Sequence, residues 1–205
     1  MTMETVHVGI YDTFVDWEIG AATAHINKVD EMQRQPGRYR VVTVGLTMDP
    51  IVTMGGMRIT PDTTLDQVDP ADSAMLILAG SETWESGVLE PFSTKAREFL
   101  AADTPVAAIC GATGGLAMAG LLDDRDHTSN AVEYLSSLGY GGASRYIDTE
   151  AVTDRNLITA GATCPFEFAR EIFVALELYS PEKLAAWYQL FDQNDPAAYY
   201  ALVGE

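Results

Sequence analysis

The stretch Pro105–Gly120 reads PVAAICGATGGLAMAG. A short apolar run stops at Cys110, and glycines and small helix formers follow. That is the pattern of a strand buried on both faces that turns abruptly into a helix. Ala74–Ala79 (AMLILA) is a second continuous apolar run of the same kind, and Val6–Tyr11 (VHVGIY) and Arg40–Leu46 (RVVTVGL) are β-rich. Helical segments lie between and after them: Asp16–Val29, Pro91–Ala102 with proline in its first turn, Gly115–Leu122, Pro165–Leu178, and Ser180–Leu190 with Ser180 as N-cap. Met54–Thr60 passes through Gly55-Gly56 and reads as a hairpin excursion. Arg145–Asp148, Ala151–Thr153 and Leu157–Thr159 read as short strands. Buried strands alternating with helices predict a mainly parallel α/β sheet with helices on both faces. No Pro/Ser/Gly-rich linker divides residues 1–205, so one domain is expected.

Composition narrows the classes. Apolar residues make up 47% of 205, enough for a core, and no low-complexity tract is present. With 30 acidic and 12 basic residues the formal charge is −18, which disfavours nucleic acid and anionic membrane as partners. The acidity fits ordinary solubility or a high-salt habitat. The start METVHVGIYD lacks the basic and apolar regions of a signal peptide. No stretch approaches the roughly 18 apolar residues of a membrane span. Two cysteines make no disulfide framework, and a reducing, cytoplasmic location is expected. No Cys-x-x-Cys or His-x-x-x-His spacing points to a metal, and no cofactor is expected.

Ligands of such sheets bind beyond the carboxyl ends of the strands. There the sequence places Asp12, Asp16 and Glu18, then Gly80-Ser81, then Cys110-Gly111, then Gly161–Cys164. At a strand-to-helix elbow a thiolate meets the positive end of the helix, which should lower the Cys110 pKa. Backbone N–H groups of Gly80, Ser81 and Gly111 are candidates for an oxyanion hole. From the residues alone, Cys110 reads sooner as a small core residue than as a nucleophile. Glu18 reads as a first-turn helix carboxylate, and so does Asp16. His7 and His25 read as structural. His127, in DRDHTSN, is a candidate base for Cys110. Trp17 and Trp84 are candidate pocket walls or plain packing, and Cys164 sits at a helix start without a tight elbow.

Four segments resemble the DJ-1/PfpI superfamily of the class I glutamine amidotransferase-like group: DTFVDWEIG (12–20), LILAGSETW (76–84), VAAICGATGGLAMAGLLDDRDHTSN (106–130) and ITAGATCPFEFAREIFVALEL (158–178). The likeness is to a bacterial branch described as intracellular protease or amidotransferase. It implies a flavodoxin-like three-layer sandwich, a reactive Cys110, a Glu18 that reaches its sulfur, and a homodimer. The family's usual histidines are absent: Gly111 follows the cysteine, and Asn130 stands at the downstream position. The resemblance therefore implies a Cys110–Glu18 pair without a triad, acting on a small carbonyl or amide-like substrate, with peptidase activity in doubt. The alternative is a redox-responsive protein whose Cys110 is reversibly oxidised.

Overall fold

The apolar runs become the central strands. The structure, a computed structural model, describes residues 3–203. Its strands are β1 (Glu4–Gly9), β2 (Tyr39–Gly45), β3 (Ile51–Val52), β4 (Arg58–Ile59), β5 (Thr63–Thr64), β6 (Ser73–Leu78), β7 (Val106–Ile109), β8 (Ala151–Asp154) and β9 (Leu157–Ala160). The helices are α1 (Asp16–Asn27), α2 (Glu90–Ala101), α3 (Gly111–Met118), α4 (Val132–Ser137), α5 (Pro165–Ala175), α6 (Pro181–Phe191) and α7 (Ala198–Val203). Seven strands form one sheet in the order β5-β2-β1-β6-β7-β9-β8, parallel except for β8 against β9. The other two, β3 and β4, form the small antiparallel hairpin expected around Gly55-Gly56.

Central strands covered on both faces can be apolar at every position. Leu76, Ile77 and Leu78 of β6, and all of β7, are fully buried. Each such large aliphatic side chain favours the folded state by roughly 1.5–3 kcal/mol over an exposed one. Helices α1 and α5 pack on each other, on β2 and on β7–β9, while α2 and α3 pack on β6 and β7. The result is the flavodoxin-like α/β arrangement. Helix α6 starts as its sequence dictates, with Ser180 Oγ accepting from the Lys183 N–H at 3.3 Å ahead of Pro181.

One strand expectation fails. Arg145–Asp148 is no strand: a single 3-10 turn spans Ala143–Arg145, and only an isolated bridge joins Tyr146 to His127. The chain there is tied down by the Arg145–Asp126 ion pair and by Ile147 N–H donating to His127 O, so no neighbouring strand is used.

The chain runs outward from β1 to β2 and then returns to β6 on the other side of β1. Crevices open at such a reversal of strand order. The loops after β1, β6 and β7 meet there, and they bring together Glu18 in the first turn of α1, Gly80 and Cys110.

Candidate functional site

Cys110 lies between β7 and α3 with φ 58° and ψ −128°. A non-glycine residue in that region is strained, at a cost of order 1–3 kcal/mol, and persists only where its surroundings hold it. Here Cys110 N–H donates to Ala160 O at 3.1 Å, and Cys110 O accepts from Thr113 N–H and Thr113 Oγ1. Thr113 Oγ1 in turn accepts from Ser129 Oγ at 2.6 Å, tying the elbow to the segment that carries Asn130. Gly111 sits close against its neighbours. A Cβ there would lie 3.2 Å from Trp84 Cδ1 and 3.3 Å from Ser81 O.

Glu18, in the first turn of α1, is 1% exposed. Its Oε2 accepts from Gly80 N–H at 2.7 Å, and its Oε1 has no partner among the described residues. A Cβ at Gly80 would fall 2.9 Å from Cys110 Sγ and 3.0 Å from Glu18 Oε2, so glycine is what lets the two groups approach. Burial raises the Glu18 pKa, while the Gly80 N–H and the contact with Cys110 hold the rise back.

The thiol departs from expectation. Burial first, and the Glu18 charge and hydrogen bond next, push Cys110 up to about 11. Asn130 and the Gly111 N–H act the other way but do not prevail. The start of α3 therefore does not by itself make a thiolate. The sulfur and the carboxylate act on each other: the Glu18 charge raises the thiol, and the contact with Cys110 holds the carboxyl down.

The remaining candidates separate. Asn130 Nδ2 donates to Cys110 Sγ at 3.6 Å while its Oδ1 accepts from Ala162 N–H at 2.9 Å. Gly80 is not an oxyanion donor, because its N–H is engaged by Glu18. The Ser81 N–H meets no acceptor among the described residues, and its nitrogen lies 3.5 Å from the position of a Gly111 Cβ. His127 is not a base for Cys110. It is fully buried, with Nδ1 on Arg125 O at 2.7 Å, Nε2 facing Tyr140 Oη at 3.3 Å, and Tyr140 and Tyr146 packed edge-on. Trp17 is 55% exposed, a solvent-facing side chain and not a packed wall. Trp84 is buried beneath the elbow, donating from Nε1 to Ala79 O at 2.9 Å. Asp16 is more than a first-turn charge: its Oδ2 accepts from Thr53 Oγ1 and Gly55 N–H and pins the hairpin to α1.

Beyond Asn130 lies an open cavity of about 400 Å³ between Ser129–Asn130 and Gly161–Cys164, with Asp148–Glu150 along one side. Burial raises the Cys164 thiol, and Glu167 and Glu150 add to that. Among the described residues no three His, Cys, Asp or Glu side chains gather as for a metal ion, and no helix is long and apolar enough to cross a membrane.

Sequence reasoning missed Thr13. It has φ 58°, and its Oγ1 lies 2.8 Å from Ser81 Oγ. Nothing local in DTFVD marks a threonine for that backbone region, which usually favours glycine or asparagine.

A parallel α/β sheet with a strained cysteine elbow, and a buried carboxyl from the first helix reaching that elbow, defines the class. The chain belongs to the DJ-1/PfpI family, whose model matches residues 4–175. It is 36% identical over 205 residues to the Bacillus subtilis (strain 168) protein described as "Uncharacterized protease YoaZ", covering 99% of this chain and 98% of that one. Among solved structures, a thiJ/pfpI family protein from Bacillus anthracis superposes with a TM-score of 0.89 at 34% identity, covering 100% of this chain and 98% of that one. A DJ-1 superfamily protein from Agrobacterium tumefaciens gives 0.82 at 31% identity, covering 94% and 99%.

Proposed function

We propose that the protein is a cysteine-dependent enzyme acting on a small carbonyl or amide-like substrate, with Cys110 as nucleophile and Glu18 as its proton partner. The observation that carries this reading is the meeting of Cys110 Sγ and Glu18 Oε2 over Gly80, each within 3.0 Å of where a Cβ would be. As the thiol attacks, its proton passes to the Glu18 carboxylate. The Sγ–C bond forms, and the carbonyl π pair moves onto oxygen, where the Ser81 and Gly111 N–H groups receive it. With a dicarbonyl, Glu18 returns the proton to that oxygen to give a hemithioacetal; the C–H proton of that carbon then moves by way of Glu18 to the neighbouring carbonyl carbon, leaving a thioester that water hydrolyses to the hydroxy acid and the free thiol. With an amide, Glu18 returns it to the departing nitrogen as the C–N bond breaks, and water then hydrolyses the thioester. The "protease" in the Bacillus subtilis relative's name is not carried over, since Gly111 and Asn130 supply no base beside the sulfur.

The test is turnover of methylglyoxal, a small isonitrile and a simple amide by the wild type and by Cys110→Ser. Turnover should vanish in the variant with the circular dichroism spectrum unchanged. Turnover retained by Cys110→Ser overturns the reading.

One observation favours a second reading, reversible oxidation of Cys110. A buried carboxyl with an unpartnered oxygen, carried beside the sulfur, suits hydrogen bonding to a sulfenate. Under it, mild peroxide adds oxygen to Cys110 before Cys164, as read by peptide mass. Equal or reversed labelling counts against it.

A further inference from the structure

The loops after β1 and β6 are joined by a cluster of hydrogen bonds around Thr13 and Ser81. Ser81 has one hydroxyl proton, and it is directed at Asp12 O, 2.9 Å away. Thr13 Oγ1 accepts from Glu82 N–H at 3.0 Å. Thr13 Oγ1 lies 2.8 Å from Ser81 Oγ and can donate to it, alongside Thr83 N–H at 3.1 Å and Thr83 Oγ1 at 2.8 Å. Thr13 N–H donates to Val52 O at 2.8 Å, and Val15 N–H donates to Gly80 O at 2.9 Å. A β-branched residue at φ 58° is an outlier that needs such support. The consequence falls on Ser81. Its hydroxyl is occupied and its carbonyl lies against Gly111, while its N–H has no acceptor among the described residues and its nitrogen lies 3.5 Å from the position of a Gly111 Cβ.

We propose that Thr13 is a positioning residue: held in a strained backbone conformation, it clamps Ser81 and Glu82 from both sides so that the Ser81 N–H stays aimed at the oxyanion formed on a substrate of Cys110. This inference rests on the Cys110 reading of function and adds to it a residue that touches neither substrate nor sulfur. Thr13 has to be where it is for two atoms at once, a donor to Ser81 Oγ and an acceptor from Glu82 N–H. Serine preserves both, valine preserves the shape and neither bond, and glycine relieves the backbone strain and preserves neither bond.

The experiment compares the wild type with Thr13→Ser, Thr13→Val and Thr13→Gly in three measurements. In methylglyoxal turnover, Thr13→Val and Thr13→Gly should lose at least tenfold in kcat with KM within about twofold, and Thr13→Ser should recover most of it. Alkylation of Cys110 by iodoacetamide, a displacement at a saturated carbon that develops no carbonyl oxyanion, should proceed at the wild-type rate in all three. Amide hydrogen exchange of Glu82, whose N–H donates to Thr13 Oγ1, should accelerate in the valine and glycine variants and not in the serine variant. Wild-type kcat in Thr13→Val, loss of kcat in Thr13→Ser equal to that in Thr13→Val, or slowed alkylation would each overturn the proposal. Should Thr13→Val not fold, Thr13→Gly, which is unstrained at that φ, decides by the same measures. Should the wild type itself turn over nothing, the reading of function fails. The clamp is then judged by exchange alone, where unchanged exchange in Thr13→Val overturns it.

Discussion

Replacing Glu18 with glutamine should move the reactivity of the thiol and the turnover of the enzyme in opposite directions. Glutamine can keep the acceptor for Gly80 N–H, so the local structure is conserved while the charge is lost. Cys110 Sγ and Glu18 Oε2 both lie within 3.0 Å of a common point, so they are at most about 6 Å apart. Two unit charges at about 6 Å in an effective dielectric of about 20 interact by about 2.8 kcal/mol, or about two pKa units. The wild-type thiol is pushed up to about 11, with the Glu18 charge second only to burial among the causes. Removing that negative charge favours the thiolate, so the alkylation midpoint should fall to about 9. At pH 9 the thiolate fraction then rises from about 1% to about half, and iodoacetamide labelling of Cys110 quickens about fiftyfold. The assay is the labelling rate of Cys110 from pH 6 to 11.5 in a Cys164→Ser background. Over the same series kcat should fall by about 10²–10⁴, because the proton acceptor is gone. A midpoint that stays put or rises, or a kcat that is unchanged, refutes the reasoning about the pair.

Two further outcomes follow from the site and its supports. Asn130→Ala removes an N–H that favours the thiolate, so Cys110 labelling at pH 8 should slow by about 2–10-fold; an unchanged rate shows that the amide does not act on the sulfur. His25 Nε2 accepts from Trp187 Nε1 at 3.0 Å, so the neutral ring carries its proton on Nδ1 toward Tyr179 Oη, and burial lowers its pKa. Below about pH 6.5 the unfolded chain takes up a proton that the folded ring resists, so His25 costs stability as pH falls from there through its folded pKa. Calorimetry of His25→Leu should show that slope reduced relative to the wild type. It should also show a loss of about 1–3 kcal/mol at pH 7.5 from the orphaned Trp187 N–H; an identical slope overturns the assignment.

How far the sequence speaks depends on whether a signal is local. Ala74–Ala79 and Pro105–Ile109 could be read because strands covered on both faces are apolar without alternation, and the cysteine at the end of the second marked the elbow. β5 is two threonines that exist as a strand only because Val44 and Gly45 pair with them, and nothing in Thr63–Thr64 announces it. Helix α4 is a six-residue turn in a polar stretch. Glu18 illustrates the same limit in the site. Its helix, DWEIGAATAHIN, is rich in small residues with apolar positions only loosely spaced, so the sequence does not say which face is covered, and the resemblance had to supply the carboxyl's role. His127 misled for the converse reason. It stands among charged neighbours that suggest solvent, but Tyr140 and Tyr146, far along the chain, close over it.

The packing of Trp84 under Gly111 bears on how this protein can change over generations. A histidine beside the nucleophile is one codon's worth of novelty on paper, yet any side chain at position 111 begins with a Cβ 3.2 Å from the indole and 3.3 Å from the Ser81 carbonyl, so both neighbours must give by a few tenths of an ångström. A smaller residue at position 84 would ease the first of those contacts. Ala79 O would still be served by Tyr11 Oη after such a change, so it does not strand a buried carbonyl. What position 111 can become is thus tied to what stands at position 84.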